Sequence, residues 1–113
     1  MNRGDVFDAR LDPVEGCEQA GVRPVVIVSR DALNAASPVV VVVPVTTLRQ
    51  GRRLYPSQVV VPAGEGGLAA DSVALGEQVR AIATHRLASR RGALPRATMD
   101  RLGRALRITL ALE

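Results

Sequence analysis

The chain contains no lysine and no tryptophan, and its aromatic rings are two, Phe7 and Tyr55. A core without large rings must be built from Val, Leu, Ile and Ala. In 113 residues such a core is modest, which favours association with a second copy. Cysteine occurs once, at Cys17, so an intrachain disulfide and a cysteine-based metal cluster are excluded. Histidine also occurs once, at His85. That removes the two-histidine acid–base pair and any His-x-x-x-His zinc site. There is no Gly-x-Ser-x-Gly elbow to carry a hydrolase nucleophile. The longest apolar run, Val39 to Val45, is far too short to cross a bilayer. Met1-Asn-Arg-Gly-Asp-Val carries no apolar signal region. The expectation is one cytoplasmic domain over residues 1–113, with no membrane partner.

What is present is arginine. All fifteen basic residues are Arg, against eleven acidic ones, for a formal charge of +4. A net positive balance favours an anionic partner. Guanidinium pairs bidentately with phosphate, so an arginine-only surface suits nucleic acid. A GC-rich genome would give the same bias without any functional cause. The apolar fraction of 47% is that of a folded globular chain.

Several segments read as strands. Gly4 to Leu11 alternates apolar and polar residues with an irregularity at Phe7, which predicts a half-exposed strand with a bulge. Asp12-Pro13 opens a polar loop that runs through Gly16 and Gly21. Val25-Val-Ile-Val28 is β-branched throughout and predicts a buried strand. Asp31 is placed to cap a short helical turn through Leu33 and Asn34. Five consecutive valines from Val39 suit a strand covered on both faces, and Pro44 should end it, bulge it or put it at an edge. Further strands are expected over Ser57–Val61, Asp71–Leu75 and Glu77–Ile82. Ala63-Gly-Glu-Gly-Gly67 reads as a turn, and so does Ser89 to Leu94 with Arg90 and Arg91. From Pro95 on, Met99, Leu102, Leu106, Thr109 and Leu110 recur at helical spacing. Short strands followed by one terminal helix predict a mainly β fold: a compact, SH3-like barrel with helical additions.

One arginine is placed differently from the others. Arg23 lies between Val22 and Pro24, where a polar glycine-containing loop becomes an apolar strand. A residue before proline is pushed into extended geometry. A cation held at the mouth of a strand is well placed to bind phosphate. Alone, such an arginine is ordinarily a surface charge.

The chain nevertheless resembles the MazF/PemK family of toxin endoribonucleases. The residues that carry the resemblance are Arg3-Gly-Asp-Val-Phe7, Leu11-Asp-Pro13, Gly16-x-Glu-Gln19 and Gly21-x-Arg-Pro-Val-Val-Ile-Val28. They continue through Ser37-Pro38, Val43-Pro-Val-Thr46, Gly67-Leu-x-x-Asp-Ser-Val-Ala-Leu75, Glu77-Gln-Val-Arg-Ala-Ile82 and His85-Arg-Leu87, and end with the amphipathic helix. These motifs span nearly the whole chain in order.

The resemblance implies a homodimer that cuts single-stranded RNA, mRNA in particular, at short sequences. No metal or cofactor is expected. The cut would leave a 2′,3′-cyclic phosphate and a 5′-hydroxyl, and a cognate antitoxin would occupy the RNA cleft. The family's catalytic arginine and threonine fall on Arg23 and Thr46. By the same resemblance Ser72, Gln78 and Arg80 belong to the RNA-binding set, with Glu18 and Gln19 in the loop beside Arg23. Arg49, Arg52 and Arg53 form either a solvated loop or one that contacts phosphate or gates the cleft. Tyr55 either stacks on a base or packs.

The chemistry is consistent with these residues. In internal transesterification the RNA supplies its own nucleophile, the 2′-OH, and the protein aligns it and stabilises charge on the phosphate. A guanidinium is a poor proton acceptor, so the sequence leaves the base open, with Glu18 in the adjacent loop as a candidate helper. Phe7 stands where the family commonly has Tyr or Trp, and Pro95 where Ser or Asp often begins the last helix. The second reading is a non-catalytic module on the same barrel, acting on a protein target such as DNA gyrase.

Overall fold

The computed structural model describes residues 1–11, 16 and 21–112. Among these the chain forms seven strands and two helices: β1 (Asp5–Arg10), β2 (Val22–Ile27), α1 (Asp31–Ala36), β3 (Val39–Thr47), β4 (Gln58–Val61), β5 (Ser72–Leu75), β6 (Arg80–Ala83), β7 (Leu87–Ala93) and α2 (Arg96–Leu110). Single 3-10 turns lie at Glu65–Gly67, Gly76–Gln78 and Thr84–Arg86. All strand pairs are antiparallel, in the order β4-β5-β3-β2-β1-β7, with β6 added on β3. The expected class, mainly β with a terminal helix, is the observed one. The path is open, because among the described residues β4 and β7 at its two ends do not pair with each other.

The valine run explains the layout. β3 is the longest strand and has three partners: β6 along Val39–Val42, β5 along Val45–Thr47, and β2 along Val42–Pro44. Pro44 therefore does not end the strand. It sits between the stretches that pair with β6 and with β5, where its missing N–H costs no recorded bond to either. Val40, Val42, Val43 and Val45 are all fully or almost fully buried.

Two apolar clusters result. Val6, Val26, Val43, Val45, Val61 and Ala74 meet Met99, Leu102 and Ala105 of α2. On the other side Ala9, Leu11, Val25, Ile27, Val40, Val42 and Ile82 pack together, with Phe7 and Leu87 against them. The expected irregularity at Phe7 is present: the β1–β7 register shifts on both sides of that residue.

Other expectations are corrected. Ser89 to Leu94 is largely strand, part of β7. Leu-Ala-Ser-Arg-Arg-Gly-Ala has no apolar alternation because β7 is a largely exposed end strand, paired among the described residues with β1 alone. The start of the expected Glu77–Ile82 strand is a 3-10 turn, and β6 begins at Arg80. Asp31 is the first residue of α1 rather than its cap, and its carboxylate accepts from the Arg3 backbone N–H at 2.7 Å. Pro95 does occupy the capping position before the first helical residue of α2, where the resemblance puts Ser or Asp.

Candidate RNA-binding site

The β2–β3 register runs Ile27↔Val42, Val26↔Val43, Val25↔Pro44. Continued by two residues, it sets Arg23 opposite Thr46. The recorded ladder stops before that point. Pro24, which would face Val45, has no N–H to carry it on. Beyond the last rung Thr46 pairs with Val73 of β5, and Arg23 with Ala9 of β1. β2 stays paired with β1 on its other edge while β3 runs on along β5, so the two strands part and a pocket opens between them.

That pocket has a volume of about 170 Å³. Its walls are Arg23 and Pro24 of β2, Val45, Thr46 and Thr47 of β3, the segment Leu68–Ala70, Ser72 of β5 and Arg91 of β7. Among the described residues no carboxylate lines it. Arg23 and Arg91 both line it, and with two arginines and no carboxylate among these walls the space favours an anion. Ligand pockets for drug-sized molecules run to about 300–1,000 Å³. This one is smaller, and suits a phosphodiester group rather than a whole nucleotide.

The structure brings together Arg23, Thr46 and Ser72 of the expected set. Ser72 is buried, and its hydroxyl donates to the Ala70 carbonyl at 2.8 Å, so it braces the 68–70 wall. The other expected residues are not in the walls. Gln78 is half-buried in the Gly76–Gln78 turn. Arg80 is half-buried on β6 and donates to the Leu11 carbonyl at 3.4 Å. Arg49, Arg52, Arg53 and Tyr55 are exposed in the connection that follows Thr47. The Arg53 guanidinium sits 5.5 Å above the Tyr55 ring and covers one of its faces. Glu18 and Gln19 lie outside the described residues.

Arg91 is the wall residue that sequence reading does not supply. Adjacent strand residues point to opposite faces. Arg90 reaches Asp5 at 3.1 Å and Arg91 reaches Asp8 at 3.0 Å. Without recognising β7 as a strand, the two arginines look alike. His85 is exposed and contributes instead to a larger hollow of about 450 Å³ with Arg10, Gly21, Val22 and Arg86, which includes neither Arg23 nor Thr46. Among the described residues no three His, Cys, Asp or Glu side chains are grouped to hold a metal, and no helix is long and apolar enough to cross a membrane.

Comparison with known proteins agrees with this architecture. Residues 2–110 match the family model described as PemK-like, MazF-like toxin of type II toxin-antitoxin system. The chain is 42% identical to Endoribonuclease EndoA of Bacillus subtilis over 112 residues, covering 99% of this chain and 96% of that protein. It is 39% identical to Endoribonuclease MazF9 of Mycobacterium tuberculosis, over 99% of this chain and 98% of that one. Among solved structures, an endoribonuclease in complex with its cognate antitoxin from a mycobacterial species superposes with a TM-score of 0.82 at 27% identity, covering 100% of this chain and 97% of that one.

Proposed function

The chain belongs to the family of PemK-like, MazF-like toxins of type II toxin–antitoxin systems, and from that membership we propose that it is an endoribonuclease toxin that cuts single-stranded RNA with Arg23 and Thr46. The observation that carries the reading is the shared pocket: the strand register that ends at Pro24 delivers an arginine and a threonine to one small cationic space. The relatives are endoribonucleases, which supports the reaction class. The antitoxin in a neighbouring structure supports a cognate antitoxin as the protein partner. A homodimer in the cytoplasm completes the proposal.

The mechanism follows from what the pocket offers. The 2′-oxygen of the substrate attacks its own phosphorus and the bond to the 5′-oxygen breaks. The 2′-proton leaves, the 5′-oxygen gains one, and the products are a 2′,3′-cyclic phosphate and a 5′-hydroxyl. Charge rises on the non-bridging oxygens in the transition state. Arg23 binds one of them and Thr46 donates to the phosphate, so the site favours the transition state over the ground state. Among the described residues the walls hold no carboxylate and no imidazole. The group that takes the 2′-proton is therefore none of the described wall residues, and Glu18 is the proposed helper.

The test incubates folded protein with long RNA in EDTA. Cutting should proceed, leave cyclic phosphate ends, and stop at a site whose 2′-OH is replaced by hydrogen. A folded protein that leaves RNA intact would instead favour the binding-module reading. An antitoxin peptide should compete with RNA for the pocket; simultaneous binding would remove the shared-cleft proposal. Light scattering at the monomer mass would remove the homodimer.

A further inference from the structure

The geometry points to Arg91 as a second phosphate-binding residue of the RNA site, a contact that rests on the ribonuclease reading above. Arg91 comes from β7, at the far end of the sheet path from the β3–β5 wall, yet it lines the same pocket as Arg23 and Thr46. Among the described residues its polar partner is one Asp8 oxygen, met by Nη1 at 3.0 Å. A guanidinium has five N–H donors in a planar fork, so most of them remain for a ligand. The side chain is 30% exposed, enough to meet a ligand without being a loose surface charge.

The backbone beneath it is held closely. Gly67, at φ +71°, packs on the Arg91 backbone so tightly that a Cβ there would overlap the Arg91 carbonyl oxygen. Gly92 packs in turn on the Gly66 backbone. The glycines of Ala63-Gly-Glu-Gly-Gly67 thus clamp the turn that leads into Leu68–Ala70 onto the strand that carries Arg91. One wall of the pocket is thus in direct backbone contact with the strand that carries Arg91. Asp8 aims the guanidinium from its other side. Such a cation, positioned by its shell rather than by its own rotamer freedom, suits a phosphodiester oxygen.

The probe is a random-sequence pool of 2′-O-methylated RNA oligonucleotides, which cannot be cut, with binding read by anisotropy across a salt series. Each single-strand phosphate neutralised contributes about 0.7 to the slope of log affinity against log salt. Arg91→Gln keeps a donor for Asp8 and removes the charge, so its slope should be shallower by about 0.7. Arg91→Lys should keep the wild-type slope. Asp8→Asn breaks the same ion pair but leaves Arg91 charged, and should not lose slope. A merely structural Arg91 predicts equal effects for Arg91→Gln and Asp8→Asn; that result, or an unchanged slope in Arg91→Gln while wild type binds, overturns the assignment. If the wild-type protein binds no RNA, the ribonuclease reading itself falls, and Arg91 with it.

Discussion

Gly67 lies directly on the backbone of Arg91: a Cβ on Gly67 would overlap the Arg91 carbonyl oxygen and stand 2.8 Å from its carbonyl carbon. The contact joins the turn before β5 to the end strand β7. Substituting Gly67→Ala imposes two penalties. The left-handed backbone costs an ordinary residue about 1–2 kcal/mol, and the overlap with main-chain atoms adds to it because backbone cannot swing aside as a side chain can. Urea unfolding should show a loss larger than the backbone term alone. Cleavage should fall further than the folded fraction does, since the Leu68–Ala70 wall and Arg91 shift apart. A variant as stable as wild type would remove the clamp from the argument.

Arg23 and Thr46 both line the pocket where β2 and β3 part, outside the two core clusters, so each can be removed without opening the core. Arg23 is exposed and Thr46 half-buried. Arg23→Ala should lower the single-turnover rate by at least about 10²–10³, the usual cost of one preorganised donor to a developing oxyanion. Thr46→Val keeps the strand shape and should cost a similar factor in rate while changing RNA affinity less than Arg23→Ala does. Unfolding midpoints should stay at the wild-type value. A rate within twofold of wild type for either variant would remove that residue from the catalytic set.

The parts of this fold that sequence makes legible are those where one-dimensional pattern and burial coincide. Val40, Val42 and Val43 of the valine run are buried, although Val39 is exposed and Val41 half-buried; Met99 and Leu102 of the α2 stripe dock on the sheet, although Leu110 at its end is exposed. β7 is different. Among the described residues it pairs with β1 alone, its residues Ala88 to Arg91 are all exposed, and no alternation marks Arg90 and Arg91 as strand residues. Arg91 was hidden for that reason, while Arg23 was legible from Pro24 and the family pattern. Pro44 misleads in the opposite sense: a proline in a strand ordinarily marks an end, yet here it occupies the gap between two successive partners. The exposed arginine loop after Thr47 carries no pattern that distinguishes solvated charge from ligand contact.

Acid should loosen the β1–β7 edge. Burial alone would raise the Asp5 carboxyl, but hydrogen bonds from the Asn2 N–H and from Arg90, together with the Arg90 charge, hold it below its ordinary value of 3.8. A carboxylate with a depressed folded-state value contributes stability that is present above the unfolded value and lost as pH falls through the folded one. Stability should therefore decline in the window below pH 3.8. Asp5→Asn should be less stable than wild type at neutral pH, and its stability should change less with pH in that window. Parallel pH profiles for the two proteins would show that Asp5 contributes nothing to acid sensitivity.

Leu102 tests what holds the sheet together behind the pocket. It is fully buried on α2, in the cluster that includes Val43 and Val45. Val45 is also a wall residue of the pocket. With so few large rings available, the aliphatic contacts of α2 supply much of the cover over this side of the sheet. Leu102→Ala removes buried methyl groups and leaves a cavity, at a cost of about 2–5 kcal/mol. The expected outcome is a lowered urea midpoint with an unchanged slope, and a cleavage rate per folded molecule close to wild type. The cavity lies on the core side of Val45, whereas Arg23, Thr46 and Arg91 are held by the β-ladder, the Pro24 break and the Gly67 contact. A rate per folded molecule that fell with stability would mean that the pocket's geometry depends on helix packing and not on the strands alone.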